Sequence, residues 1–94
     1  MRSEMRLFVP KTLLIDTNRA AIPIYKSLIA KGHDVWVVGN NRDEPLAHTS
    51  ENYIESDYSD HADLDSLVRR GQFEFIVPGC TDASYEAASS VGAY

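Results

Sequence analysis

The 94-residue chain is 44% hydrophobic and 24% charged and carries no low-complexity or single-charge tract, which excludes a disordered polymer and leaves room for one domain with one core. Nine basic against fourteen acidic residues give a net charge of −5, so no general attraction for nucleic acid phosphates or anionic lipid is expected, and a small polar ligand is the better expectation. One cysteine excludes an internal disulfide. No apolar run approaches the roughly 20 residues of a membrane span, and Leu7-Phe8-Val9 is too short an apolar core for a signal peptide, so no membrane association and a cytoplasmic location are expected.

Along the chain, Lys11 to Thr17 is an apolar run ending in polar residues, as in a strand buried on both faces. Ala21, Ile24, Tyr25, Leu28 and Ile29 follow at the spacing of one helix face, with Pro23 in the first turn and Gly32 placed to end it. Asp34 to Asn40 is a second strand, β-branched and aromatic, closed by Gly39-Asn40-Asn41. Asn40 to Ser50 has no sustained period and reads as a loop with one helical turn around Pro45 to Thr49. Asn52 to Asp57 is a short edge strand. Ser59 or Asp60 can then cap a helix whose Leu64, Leu67 and Val68 share a face, with Arg69 and Arg70 in its last turn and Gly71 after it. Phe73 to Gly79 is the fourth strand, and Thr81 or Asp82 can cap a last helix running to about Val91.

Strands separated by helical segments imply parallel pairing with right-handed crossovers. The expected fold is α/β: a Rossmann-like open parallel sheet of four strands in order 3-2-1-4 with helices on both faces. Its expected core is Leu13, Leu14, Ile15, Val35, Val37, Phe75 and Ile76. In such a sheet ligands collect beyond the carboxyl ends of the strands, where the order reverses between the first and fourth. Attention therefore falls on Asp16 to Ala21 and Pro78 to Glu86.

Dinucleotide binding is disfavoured, because its phosphate turn requires glycines and Asp16 to Ala21 contains none; a GxxxxGK[ST] phosphate loop is absent. Asp16 and Asp57 end the first and third strands and could serve a phosphoacceptor site, but the lysine after a fifth strand has no counterpart, so the expectation is that both acids face water. Cys80 sits near a helix N-terminus, where a thiol can become nucleophilic. Its base would have to be His33, His48 or His61, and the topology brings none of them there, so Cys80 reads as a small residue packing a turn. The histidines and the cysteine are too dispersed for a metal-ligand spacing.

The stretch "FEFIVPGCTDASYEAA", preceded by "SDYSDHADLDSLVRRGQ", resembles the N-terminal (pre-ATP-grasp) domain of the ATP-grasp carboxylate–amine ligases, the superfamily of carbamoyl-phosphate synthase-like and biotin carboxylase-like enzymes. The shared features are an Asp-rich start before the third helix, an apolar strand running into Pro78-Gly79, the acid Asp82, and Tyr85-Glu86 opening the last helix. The resemblance covers the chain from about Lys11. It implies a substrate-side domain over residues 11–94, an N-terminal arm over 1–10, and a longer enzyme. In that enzyme ATP and magnesium convert a carboxylate to an acyl phosphate for attack by an amine. The magnesium-binding acids and most nucleotide contacts of such enzymes lie in further domains, so no cofactor and no catalytic residue are expected in this segment. A free-standing small-ligand or interaction module without ATP chemistry is the alternative.

The glycines that many members carry after the first strand are missing here. Combined with the topology, the resemblance places a small-molecule carboxylate against Asn18, Arg19, Gly79, Thr81, Asp82 and Glu86, with Pro78-Gly79 letting the backbone approach and the helix start offering free N–H groups. The unpaired edge of the fourth strand and the Leu7 to Val9 arm suggest a homodimer or swapped assembly.

Overall fold

The structure, a computed structural model, describes residues 9–91. Four strands, β1 (Lys11–Ile15), β2 (Asp34–Gly39), β3 (Tyr53–Glu55) and β4 (Phe75–Pro78), form one sheet in order β3-β2-β1-β4. Every pairing is parallel: Leu13 sits opposite Trp36 and Ile76, and Val38 opposite Ile54. This is the Rossmann-like α/β fold that the alternation of elements implies. The helices are α1 (Ile22–Ala30), α2 (Pro45–Thr49), α3 (His61–Gly71) and α4 (Asp82–Ser90), with a 3-10 turn at Arg19–Ala21 leading into α1.

The period of two along each strand divides the core between the two faces of the sheet. On one face Leu13, Ile15, Val38 and Ile76 pack with Leu64 of α3, Ala87 and Ala88 of α4, and Tyr58 from the β3–α3 connection. On the other, Leu14, Val35 and Val37 pack with Ala21 and Leu46, against which Ile24, Tyr25 and Leu28 of α1 are partly buried. β1 lies inside the sheet, its Thr12 to Ile15 fully buried, with β2 and β4 on its two sides and helices on both faces.

Caps fix the helix starts. Asp60, rather than Ser59, accepts from the Asp63 N–H at the head of α3. Thr81, rather than Asp82, caps α4 in a reciprocal pair with Ser84. Gly32, at φ +87°, turns the chain from α1 into β2, a conformation that favours glycine.

Three expectations need correction. Phe75 is 48% exposed: it opens the edge strand, beyond the cover of α1, and its ring meets His33 with centroids 5.8 Å apart. Ile29 is 47% exposed, because the stripe of α1 that faces the sheet ends at Leu28. The left-handed cap of α3 is Gln72 at φ +56°, and Gly71 is instead the last helical residue, where a Cβ would overlap the Phe73 ring. Leu7 and Phe8 of the proposed arm lie outside the described residues.

At the amino end of the sheet Lys11 ties three elements together. Its Nζ donates to the Gly71 carbonyl at 2.6 Å and lies over the rings of Trp36 (5.0 Å) and Phe73 (4.9 Å). No helix among the described residues is long and apolar enough to cross a membrane.

Candidate functional site

The carboxyl ends of β1 and β4 lie side by side, and the connections that leave them meet at Asp16. Asp16 is 2% exposed and takes φ +131°, a conformation that costs a non-glycine residue about 1–3 kcal/mol and persists only where its surroundings hold it. Those surroundings are explicit. Its Oδ1 accepts the Asn18 backbone N–H at 3.1 Å, and its Oδ2 accepts the Asn18 Nδ2 at 3.1 Å and the Thr81 hydroxyl at 2.9 Å. The carboxylate thus ties the β1–α1 loop to the cap of α4, across 65 residues of sequence. The expectation that Asp16 ends its strand facing water is overturned: the topology that brings β4 beside β1 also buries the acid between their connections.

Two glycines make this convergence possible by leaving out a side chain. A Cβ at Gly79 would lie 2.5 Å from the Asp16 Cβ and 3.0 Å from the Ile15 carbonyl oxygen. One at Gly39, the last residue of β2, would overlap the Thr17 side chain. Thr17, fully buried, donates its hydroxyl to Glu44 Oε1 at 2.7 Å, and its carbonyl accepts the Leu46 N–H, so the β2–α2 connection is joined to the same loop.

The expected ligand-facing residues divide by how much of their bonding capacity remains. Asn18 is committed: its Nδ2 serves Asp16 and its Oδ1 accepts from the Ala20 N–H, capping the 3-10 turn. Thr81 is committed as well, since its hydroxyl gives to Asp16 and accepts from the Ser84 N–H. Gly79 is buried beneath Asp16. Arg19 is exposed; its carbonyl accepts the Ile22 N–H, but its guanidinium makes no hydrogen bond or ion pair among the described residues, which leaves it available. Asp82 is exposed in the first turn of α4, and Glu86 lines an open depression of about 540 Å³ with His61, Tyr85, Ser89 and Ser90 on the α3–α4 side. The structure therefore brings Asn18, Gly79 and Thr81 together around Asp16, whereas Glu86 faces a neighbouring depression.

Asp57 is exposed and turned upon its own connection, accepting from both the Ser59 hydroxyl (2.5 Å) and the Ser59 N–H (3.0 Å); these bonds hold its carboxyl below the usual range. Cys80 is exposed and donates its thiol to the Ala20 carbonyl at 3.2 Å. Of the histidines, His33 pairs its Nδ1 with the Thr12 hydroxyl at the opposite end of the sheet from the thiol.

Sequence reasoning missed Tyr58. It leaves the polar β3–α3 connection and packs with Ile15, Ile76 and Ala87, beneath the carboxyl ends of β1 and β4. Burial raises the pKa of its phenol and the Asp16 carboxylate raises it further, with the Thr81 hydroxyl acting in the opposite direction. A signal existed: Tyr58 is the one aromatic residue in the polar run Ser56 to Asp60.

No protein-family model matches the chain, and no curated protein does. Among solved structures, the fold is similar to that of glycinamide-RNase-transformylase T from Mycobacterium tuberculosis, with a TM-score of 0.73 and 22% sequence identity. The match covers 87% of this chain and 26% of the transformylase, so the chain spans a minor part of that protein's length.

Proposed function

We propose that this chain is the N-terminal, substrate-side domain of an ATP-grasp ligase, inactive alone, in which a carboxylate is activated as an acyl phosphate for attack by an amine. The observation that carries the reading is the β3-β2-β1-β4 sheet with its loops gathered at the β1–β4 junction, superposable over 87% of its length on a transformylase of the ATP-grasp superfamily. The domain runs over residues 11–94, with 1–10 as an arm, and its partners are the remaining domains of the enzyme. A cytoplasmic location and a homodimer formed through the open β4 edge belong to the same proposal.

ATP and magnesium are assigned to those other domains, because the residues here do not fit them. A phosphate-binding turn needs free backbone N–H groups at the end of the first strand. The Asn18 N–H is already given to Asp16, and the buried acid would oppose a phosphate. No group of three or more His, Cys, Asp or Glu among the described residues could hold a metal ion.

What the junction offers is recognition of a carboxylate at its outer edge. The Arg19 guanidinium is free to pair with it in two-pronged fashion, and the first-turn N–H groups of Asp82 and Ala83 lie at the start of α4. Asp16 and Thr81 hold these two elements in place. The test is Arg19→Ala in the enzyme assembled with its ATP-grasp domains. Loss of a charge-assisted hydrogen bond of about 1.5–3 kcal/mol raises the KM for the carboxylate by roughly 10- to 100-fold. An unchanged KM with the fold intact would remove the β1–α1 loop from recognition.

A further inference from the structure

The amino end of the sheet, opposite the β1–β4 junction, holds a second concavity that the proposed function does not use. It is a partly enclosed cleft of about 320 Å³, within the range of small-ligand sites, where the C-terminal half of α1, the start of β2 and the α2–β3 connection meet. Ile29 and Val35 give it an apolar wall, and Tyr25, His33, Asp34, Thr49, Glu51 and Asn52 complete the lining.

Several of these groups are held by bonds that leave another atom spare. His33 pairs its Nδ1 with the fully buried Thr12 hydroxyl at 2.7 Å and sets its ring against Phe75, which fixes the imidazole and leaves Nε2 without a partner among the described residues. Asn52 donates its N–H to Ser50 Oγ and its Nδ2 to the Val35 carbonyl, so its Oδ1 is spare. Thr49 donates its hydroxyl to the Pro45 carbonyl and keeps its accepting lone pairs. Asp34 accepts a single long bond, from Trp36 Nε1 at 3.4 Å, and the Glu51 carboxylate has no hydrogen bond or ion pair among the described residues. The unspent capacity of the cleft is thus mainly accepting.

Its charge agrees. No lysine or arginine lines the cleft, and the C-terminal end of α1 adds its partial negative charge to Asp34 and Glu51. An anion would meet all three at unfavourable sign. A metal ion does not fit, because no group of three or more His, Cys, Asp or Glu among the described residues could hold one. An organic cation with several N–H donors remains. A compact ammonium carries three donors and is strongly hydrated, which favours its staying in water over entering a cleft this open. A guanidinium is less hydrated, spreads five donors in a plane to reach dispersed acceptors, and stacks on an aromatic face such as that of Tyr25.

We infer that this cleft binds a guanidinium-bearing small molecule, with Asp34 and Glu51 as its counter-charges. The site lies at the other end of the sheet from Arg19 and stands or falls independently of the carboxylate reading of the β1–β4 junction.

The test titrates the isotopically labelled chain with methylguanidinium, methylammonium and magnesium at constant ionic strength, following the amide resonances of Ile29, Asp34, Glu51 and Asn52. Methylguanidinium is expected to give saturable shifts there and to bind at least roughly fivefold more tightly than methylammonium, with the resonances of Arg19 and Asp82 unmoved. Asp34→Asn and Glu51→Gln keep the shape of exposed side chains, so the fold is retained; each is expected to weaken methylguanidinium severalfold, and the double variant to abolish saturation. The inference is overturned if methylguanidinium gives no saturable shift, if methylammonium or magnesium binds as well, or if the double variant binds as the parent does.

Discussion

The backbone conformation of Asp16 permits a test in which the usual order of two substitutions is reversed. Asp16→Ala and Asp16→Gly both remove the carboxylate and with it the same three hydrogen bonds, from Asn18 N–H, Asn18 Nδ2 and Thr81 Oγ1. Each bond to a charged acceptor contributes about 1.5–3 kcal/mol, but Asn18 and Thr81 are half-buried and can turn to water, so the joint loss is about 2–4 kcal/mol. Glycine then ordinarily costs about 0.5–1 kcal/mol more than alanine through the freedom of the unfolded chain. At φ +131° alanine retains a strain of about 1–3 kcal/mol that glycine does not feel. The balance puts Asp16→Gly about 1 kcal/mol above Asp16→Ala, or roughly 4–8 °C in melting temperature for a domain of this size.

Urea and thermal unfolding, followed through the fluorescence of Trp36, measure the difference. A second arm uses Gly79→Ala, whose Cβ meets the Asp16 Cβ at 2.5 Å. In the Asp16→Gly background that collision is gone, so the substitution costs about 1–2 kcal/mol less than in the parent, within the usual range for touching residues. The Ile15 carbonyl at 3.0 Å keeps the double variant from being neutral. If Asp16→Ala proves as stable as Asp16→Gly and the two sites add independently, the residue is neither strained nor seated against Gly79, and the account of the junction is refuted.

Thr81→Val removes the cap of α4 and the bond to Asp16 at nearly constant volume and is expected to cost about 1–2 kcal/mol in urea unfolding, whereas Thr81→Ser is expected to stay within about 0.5 kcal/mol of the parent. Lys11→Met keeps the length of the side chain but removes the charge over Trp36 and Phe73 and the bond to Gly71. A loss of about 1–2 kcal/mol is expected, with a shift in Trp36 emission; unchanged emission would mean that Lys11 does not sit on the indole. The folded-state pKa of Tyr58 lies above its ordinary value of 10.0, first through burial and then through Asp16, so folding favours the protonated phenol. Its contribution is present below pH 10 and lost as the pH rises through the raised folded value. Ultraviolet titration of the parent against Tyr58→Phe is expected to show one late-ionising phenol missing from the variant, together with weaker alkaline destabilisation.

The architecture was legible because each local signal agreed with its neighbours. The apolar runs at Leu13 to Ile15 and Val35 to Val38 are uninterrupted, as strands covered on both faces must be, and Asp60, Thr81 and Gly32 mark the ends of helices with chemistry that few residues share. The errors fall where burial depends on how far a neighbouring element reaches. Phe75 is as apolar as Ile76, but successive residues of edge strand β4 point to opposite faces, and only Ile76 falls in the cluster under α3 and α4. Gly71 and Gln72 show the same dependence on context. Glycine is the favoured residue in a left-handed cap, but the Phe73 ring requires it one position earlier, and glutamine takes the positive φ.

The site was legible in place but not in roles, and the reason lies in what a strand order can convey. Knowing that β1 and β4 are adjacent brings Asp16 and Thr81 within reach of each other, and an acid facing a helix cap is a natural pair. The sequence does not disclose that the pair is buried, because that depends on Asp16 adopting φ +131° over Gly79. Once Asp16 is buried the remaining roles follow by exhaustion of bonding capacity. Asn18 and Thr81, the polar residues that look most like ligand donors, spend their groups on Asp16 and on the adjoining helical turns. The guanidinium of Arg19, which makes no bond among the described residues, is what remains to meet a ligand. A residue's availability is therefore set by the partners its neighbours have already taken, and that is why the loop arginine carries more functional information here than the asparagine or the threonine.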